Sequence, residues 1–239
     1  MIETFILLLL AHVVGDFVLQ SGWMVRDKHR PQVLAAHVGV ILACSIVATG
    51  SLSPALFLLA LAHAGIDAIK TGFRLNGLGW FLADQAAHVA TLALAALIWP
   101  EIWANGLWMQ VLAPGTAAWV PVVALHLAGI LIATRAGGFV IGTLLAPYLD
   151  ETPELTEGSL PAAGHMIGLL ERGLTYVLVA LGQPVGVAVL IAAKSVLRFS
   201  TVSGDRRVAD YVIIGTMASI GWAVLTAVAV LALGAAVRP

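Results

Sequence analysis

The sequence predicts an all-α fold, a polytopic transmembrane helical bundle of about eight spans, and three observations carry that prediction. Apolar residues make up 60% of the 239 and charged residues only 10%, whereas a soluble domain carries about 25% charged residues. The apolar residues run in blocks of roughly 20, the length that crosses a hydrocarbon core at 1.5 Å of rise per residue. Lys and Arg collect in alternate loops rather than spreading evenly. A net charge of −1 gives no basis for a nucleic-acid partner, and the bilayer itself is the expected environment. Cys44 is the single cysteine, which excludes an intramolecular disulfide and any cysteine-based zinc site.

The first span, 2–20, reads as a retained helix rather than a cleaved leader. Its start holds Glu3 and no Lys or Arg, and it continues into His12 and Asp16. Spans follow at 32–50, 53–71 and 80–99. The fifth, 118–146, is too long for one simple crossing, and Arg135, Gly137 and Gly138 mark where it would kink or split. An acidic loop with Asp150, Glu151, Glu154 and Glu157, punctuated by Pro153 and Pro161, leads to 163–182, a short seventh span at 184–199, and 209–235. Seven or nine spans are the neighbouring counts. The first 100 residues form a four-helix module, and 101–239 form a second module of about four helices.

Orientation follows from the short loops. Arg26, Lys28 and Arg30 lie in the first, Lys70 and Arg74 edge the third, and Arg198, Arg206 and Arg207 lie at the seventh. These loops are expected in the cytoplasm, with both termini outside.

The first module contains an internal repeat. LLAHVVGDF at 9–17 and LLALAHAGIDAIK at 58–70 both carry His-x-x-x-Asp, and LAAHVGVIL at 34–42 and QAAHVATLAL at 85–94 both carry Ala-Ala-His-Val. His12 and His63, Asp16 and Asp67, and His37 and His88 are each 51 positions apart. Two helical hairpins so related are expected to pack about a pseudo-two-fold axis along the membrane normal.

Positions i and i+4 share a helix face. His12 with Asp16, His63 with Asp67, and Asp84 with His88 therefore mark three inward faces. Counted from the basic loops, His12, His63 and His88 lie about 12 Å deep and the three aspartates about 6 Å deep, with His37 between them. An ionised side chain at a span centre costs roughly 2.5–3.5 kcal/mol on the insertion scale, so these seven are expected to face one another. Three readings stay open. They bind a divalent metal, Zn or Mn/Fe, for which imidazole and carboxylate are the natural ligands. They form a proton or cation path. Or His–Asp hydrogen bonds simply lock the helices. Under the first reading His12, Asp16, His37, His63, Asp67, Asp84 and His88 are the candidate ligands, with Asp67, Asp84 and Lys70 as catalytic candidates.

Lys70 either snorkels to the interface or contacts an anion beside the metal. Gln85 and Gln20 are helix-end polarity or orient a ligand. His29, His126 and His165 are expected to be solvated, packed or interfacial. In the second half Glu171, Arg172, Lys194, Arg198 and Asp210 are expected to form buried ion pairs and positive anchors, or else a cationic pocket for a lipid phosphate.

AHVVGDFVLQ at 11–20, HAGIDAIK at 63–70 and DQAAH at 84–88 resemble a bacterial membrane family known as domain of unknown function 3307. IGLLERG at 167–173, AAKSVLRF at 192–199 and ADYVIIGTMAS at 209–219 resemble the carboxy-terminal part of its longer members, with Asp210 where Glu is expected. The resemblance implies a bacterial inner-membrane location and makes the His/Asp set a family signature. It carries no activity. The layout also resembles intramembrane metal-dependent hydrolases, by analogy alone. The expected function is therefore an intramembrane metal site near the cytoplasmic face, hydrolysing a lipid headgroup or other phosphoester. The alternatives are a cation or proton transporter and a structural or regulatory membrane protein with a polar core.

Overall fold

A computed structural model describes residues 1–150, 161–202 and 206–237. Glu151, Pro153, Glu154 and Glu157 of the acidic loop lie outside the described residues, as do the side chains of Asp150, Pro161, Arg198 and Arg206. Among the described residues every regular element is helical: α1 Ile2–Val14, α2 Gly22–Asp27, α3 Pro31–Thr49, α4 Pro54–Gly72, α5 Leu78–Ile98, α6 Leu107–Val111, α7 Pro114–Leu131, α8 Gly137–Asp150, α9 Pro161–Ala180, α10 Pro184–Val202 and α11 Arg206–Gly234. π-helical segments continue α1 through Gly15–Leu19 and join α7 to α8 through Ile132–Ala136.

Six helical runs are long and apolar enough to cross a membrane: Ile2–Leu19, Pro31–Thr49, Pro54–Gly72, Leu78–Ile98, Pro114–Tyr148 and Ala209–Gly234. They fit a multi-pass membrane protein. The segments predicted at 163–182 and 184–199 are also helical, as α9 and α10. Glu171, Arg172 and Lys194 interrupt their apolar runs. The long fifth segment does not split at Arg135 and the glycines. It runs on as one helix through the π segment.

Two compact units form, residues 1–128 with 233–239, and residues 129–232. In the first, α1 packs against α3 and α5, and α4 packs against the same two, closing a four-helix ring. In lipid the drive to associate is close packing rather than water exclusion, and small residues supply it. Ala11, Ala60, Ala95 and Ala96 are buried at the helix contacts, and a side chain at Gly15 would collide with Ile41 of α3. Val47, Phe57, Leu58, Leu61, Leu94 and Leu97 point outward, an apolar exterior that water would not tolerate on this scale.

Local signals set the helix ends. Ser21 and Ser53 accept from the backbone of Met24 and Ala55 at 3.3 Å each, and Pro31 and Pro54 stand at first-turn positions where a missing N–H is harmless. Gly50 ends α3 at φ +65°, the left-handed conformation glycine adopts without a Cβ penalty. At this end of the ring Thr4 donates to Pro100 O at 2.8 Å and the Trp108 indole to Val47 O at 2.8 Å. A plug of Ile6, Leu7, Leu8, Ile41, Leu56 and Leu92 fills the interior. The ionisable residues are at the opposite end, beside α2 and the α4–α5 turn.

In the second unit the π segment widens the helix, and polar side chains reach its carbonyls. Arg172 donates to Thr134 O through Nε and Nη2 at 3.3 and 3.1 Å. Trp222 Nε1 donates to Ile132 O at 3.0 Å. Glu171 is held by Lys194 Nζ, at 2.6 and 2.8 Å to its two oxygens, which realises the expected buried ion pair. Asp210 is exposed on α11.

Candidate metal centre

Each of the four ring helices contributes to one polar cluster at one end of the first unit. α1 and its π continuation bring His12 and Asp16, α3 brings His37, α4 brings His63 and Asp67, and α5 brings Asp84 and His88. His12, His37, His63, Asp67, Asp84 and His88 are buried by whole-residue exposure, and the Asp16 side chain is only 7% exposed. The π segment starts one residue before Asp16, at the kind of position where such segments recur in functional sites.

The centre of the cluster is a cage of four atoms. His37 Nε2 and His63 Nε2 face each other at 3.1 Å. Asp16 Oδ1 lies 3.1 Å from the first and 3.6 Å from the second. Asp67 Oδ2 lies 3.5 and 3.3 Å from the same two nitrogens. A tetrahedral ion with metal–ligand bonds of about 2.0–2.2 Å separates its ligands by about 3.3–3.6 Å, and these five separations span 3.1–3.6 Å. Asp16 Oδ1 accepts no aligned hydrogen bond, although buried carboxylate oxygens ordinarily have donors, whereas Asp67 Oδ2 has an ammonium beside it.

Beside the cage lies a second group. His88 Nδ1 is 2.9 Å from the Asp84 carbonyl, which can only accept, so Nδ1 carries the proton and Nε2 presents its lone pair. That Nε2 is buried with no partner, as is Asp84 Oδ1. Asp67, Asp84 and His88 offer ligand atoms within 4.8 Å of one another, as do His37, His63 and Asp67, and His12, Asp16 and His63. The rings of His63 and His88 are 4.2 Å apart, and those of His12 and His88 5.1 Å and stacked. These buried His/Asp groups can hold a metal ion.

Two lysines reach the cluster. Lys28, from the loop after α2, places Nζ 2.7 Å from Asp67 Oδ2. Lys70 shares a helix face with Asp67 but pairs with Asp84 Oδ2 on α5 at 2.7 Å. Gln85 knits the rest together: its Oε1 is 3.3 Å from His12 Nε2, and its Nε2 donates to Asp16 Oδ2 at 3.5 Å and to Asp84 Oδ2 at 3.2 Å. With its amide turned so that the oxygen faces Lys28, Gln20 accepts from Nζ at 3.0 Å and donates to Asp16 O at 3.3 Å.

All seven candidate ligands thus come together, and Lys70 joins them. His37, expected between two layers, is at the centre of the cage. His29 and His165 are exposed and His126 is half-buried in α7; none of the three joins a ligand group. Sequence reasoning took Lys28 for an orientation charge only. No periodicity could have placed it, because its position depends on how the 20–30 connection, whose helix packs against α3, is folded.

No curated protein and no solved structure matches this chain. The stretch that builds the whole site, residues 4–113, matches the model of the family described as protein of unknown function (DUF3307).

Proposed function

We propose that the first unit is a divalent-metal centre, of Zn or of Mn/Fe, and that the chain is a metal-dependent hydrolase of anionic phosphoesters at the membrane surface, lipid headgroups included. The observation that carries this reading is the four-atom cage: two imidazole nitrogens 3.1 Å apart, each within 3.1–3.6 Å of two buried carboxylate oxygens. Charge points the same way. Three buried aspartates face two ammonium groups, Lys28 and Lys70, which leaves one negative charge in a low-dielectric setting that favours a cation.

A divalent ion would reverse the sign of the site and favour an anionic substrate. It would also lower the pKa of a bound water. Lys70, whose side chain is 30% exposed and whose Nζ holds Asp84 Oδ2, is then placed to meet developing negative charge from the open side. Arg26, Lys28, Arg30, Lys70 and Arg74 surround this end of the ring, which supports a cytoplasmic orientation. The exposed Trp23 and Trp80 flank it, as indoles do at headgroup level. A transport path is less well supported, because the apolar plug from Ile6 to Leu92 separates the cluster from the far end.

The test is hydrolysis of phospholipid and water-soluble phosphoesters by the detergent-purified chain. Release of phosphate or headgroup that needs Zn, Mn or Fe, and is lost with EDTA and in Asp84→Asn, is expected. Metal-loaded protein inactive on both substrate classes would count against the hydrolase.

A further inference from the structure

We propose that the centre is binuclear, with a second divalent ion held by His88, Asp84 and Asp67 beside the cage, and Asp67 as the carboxylate shared by both ions. This rests on the metal reading above.

Three observations carry it. His88 is fixed as the Nδ1–H tautomer by the Asp84 carbonyl at 2.9 Å, which leaves a fully buried Nε2 lone pair without a donor. A backbone carbonyl holding one ring nitrogen while the other is free is the arrangement that orients a histidine ligand. Next to it Asp84 Oδ1 is also buried and unpartnered. Asp84 Oδ1 lies 3.9 Å from His88 Nδ1, and Asp67, Asp84 and His88 offer ligand atoms within 4.8 Å of one another, a second ligand group on the α5 side of the cage.

Asp67 belongs to both ligand groups, the one with His37 and His63 and the one with Asp84 and His88. A carboxylate has two oxygens, so it can serve two ions roughly 3.5–4 Å apart. The repeat supplies a separate argument. Moving the cage residues by the 51-position spacing carries His37 to His88 and Asp16 to Asp67, so the second hairpin has its own counterpart of the cage histidine. Asp84 corresponds to Val33, an apolar residue. The two ion positions would thus differ, with the extra carboxylate and its partner Lys70 on the second only.

Chelator-treated full chain in detergent, reloaded with Mn²⁺ alone, gives a direct measurement. Two ions per chain are expected, with the multiline electron paramagnetic resonance spectrum of an exchange-coupled pair. His88→Ala and Asp84→Asn should each hold one ion with an uncoupled spectrum, and Asp67→Asn should disturb both positions. If a variant fails to fold, the wild-type spectrum still decides. One uncoupled ion in the wild type would overturn the binuclear centre while leaving a mononuclear one standing. No bound ion would overturn both.

Discussion

Lys28 Nζ lies 2.7 Å from Asp67 Oδ2, the same oxygen that closes the cage with His37 and His63. The ammonium therefore occupies the place a second positive charge would take. Removing it in Lys28→Met leaves Asp67, whose side chain is 2% exposed, as an unpaired buried charge, which costs about 3–5 kcal/mol. An ion in the cage would replace that partner. Chelator-treated Lys28→Met is expected to melt well below the wild type, and added Zn or Mn to restore most of the difference by linkage. Thermal melts with and without metal check this; an equal deficit in both would argue that Lys28 is only a structural strut.

Gln85 touches His12, Asp16 and Asp84 but lies outside the cage. Gln85→Leu keeps the volume and removes these contacts. Metal affinity is expected to fall about 10–100-fold, the usual effect of losing a group that orients ligands, while helix content is retained. Competition against a chromophoric chelator measures it, and an unchanged affinity would remove Gln85 from the site.

The histidines and aspartates were legible because two periodicities coincide. The i, i+4 spacing puts His12 with Asp16, His63 with Asp67 and Asp84 with His88 on single faces, and a polar side chain in an apolar span has few places to go but inward. What could not be read was tertiary. The π segment at Gly15–Leu19 has no sequence mark strong enough to predict it. Lys70 was placed on the Asp67 face, yet its length lets it cross to Asp84. Arg135 and the two glycines suggested a break in the fifth segment. Arg172 and Trp222, distant in sequence, instead bond to the carbonyls of a continuous helix.

In the second unit Glu171 is 7% exposed and bonds to Lys194 through both oxygens. Glu171→Gln leaves a largely buried ammonium without its counter-charge and is expected to lower stability by about 3–5 kcal/mol. Replacing both residues with leucine should recover most of that loss, since an apolar pair of similar volume is often neutral or better. Thermal melts of single and double variants decide it. The metal content of all three should match the wild type, because the cage residues lie in the first unit.

The most direct test of the metal centre is elemental analysis of the full chain purified in detergent without chelator, beside His37→Ala and His63→Ala. At least one equivalent of Zn, Mn or Fe per chain is expected, falling to a small fraction of that in both variants. Wild-type protein that is metal-free, takes up none of the three on reconstitution, and is as stable with chelator as without would contradict it.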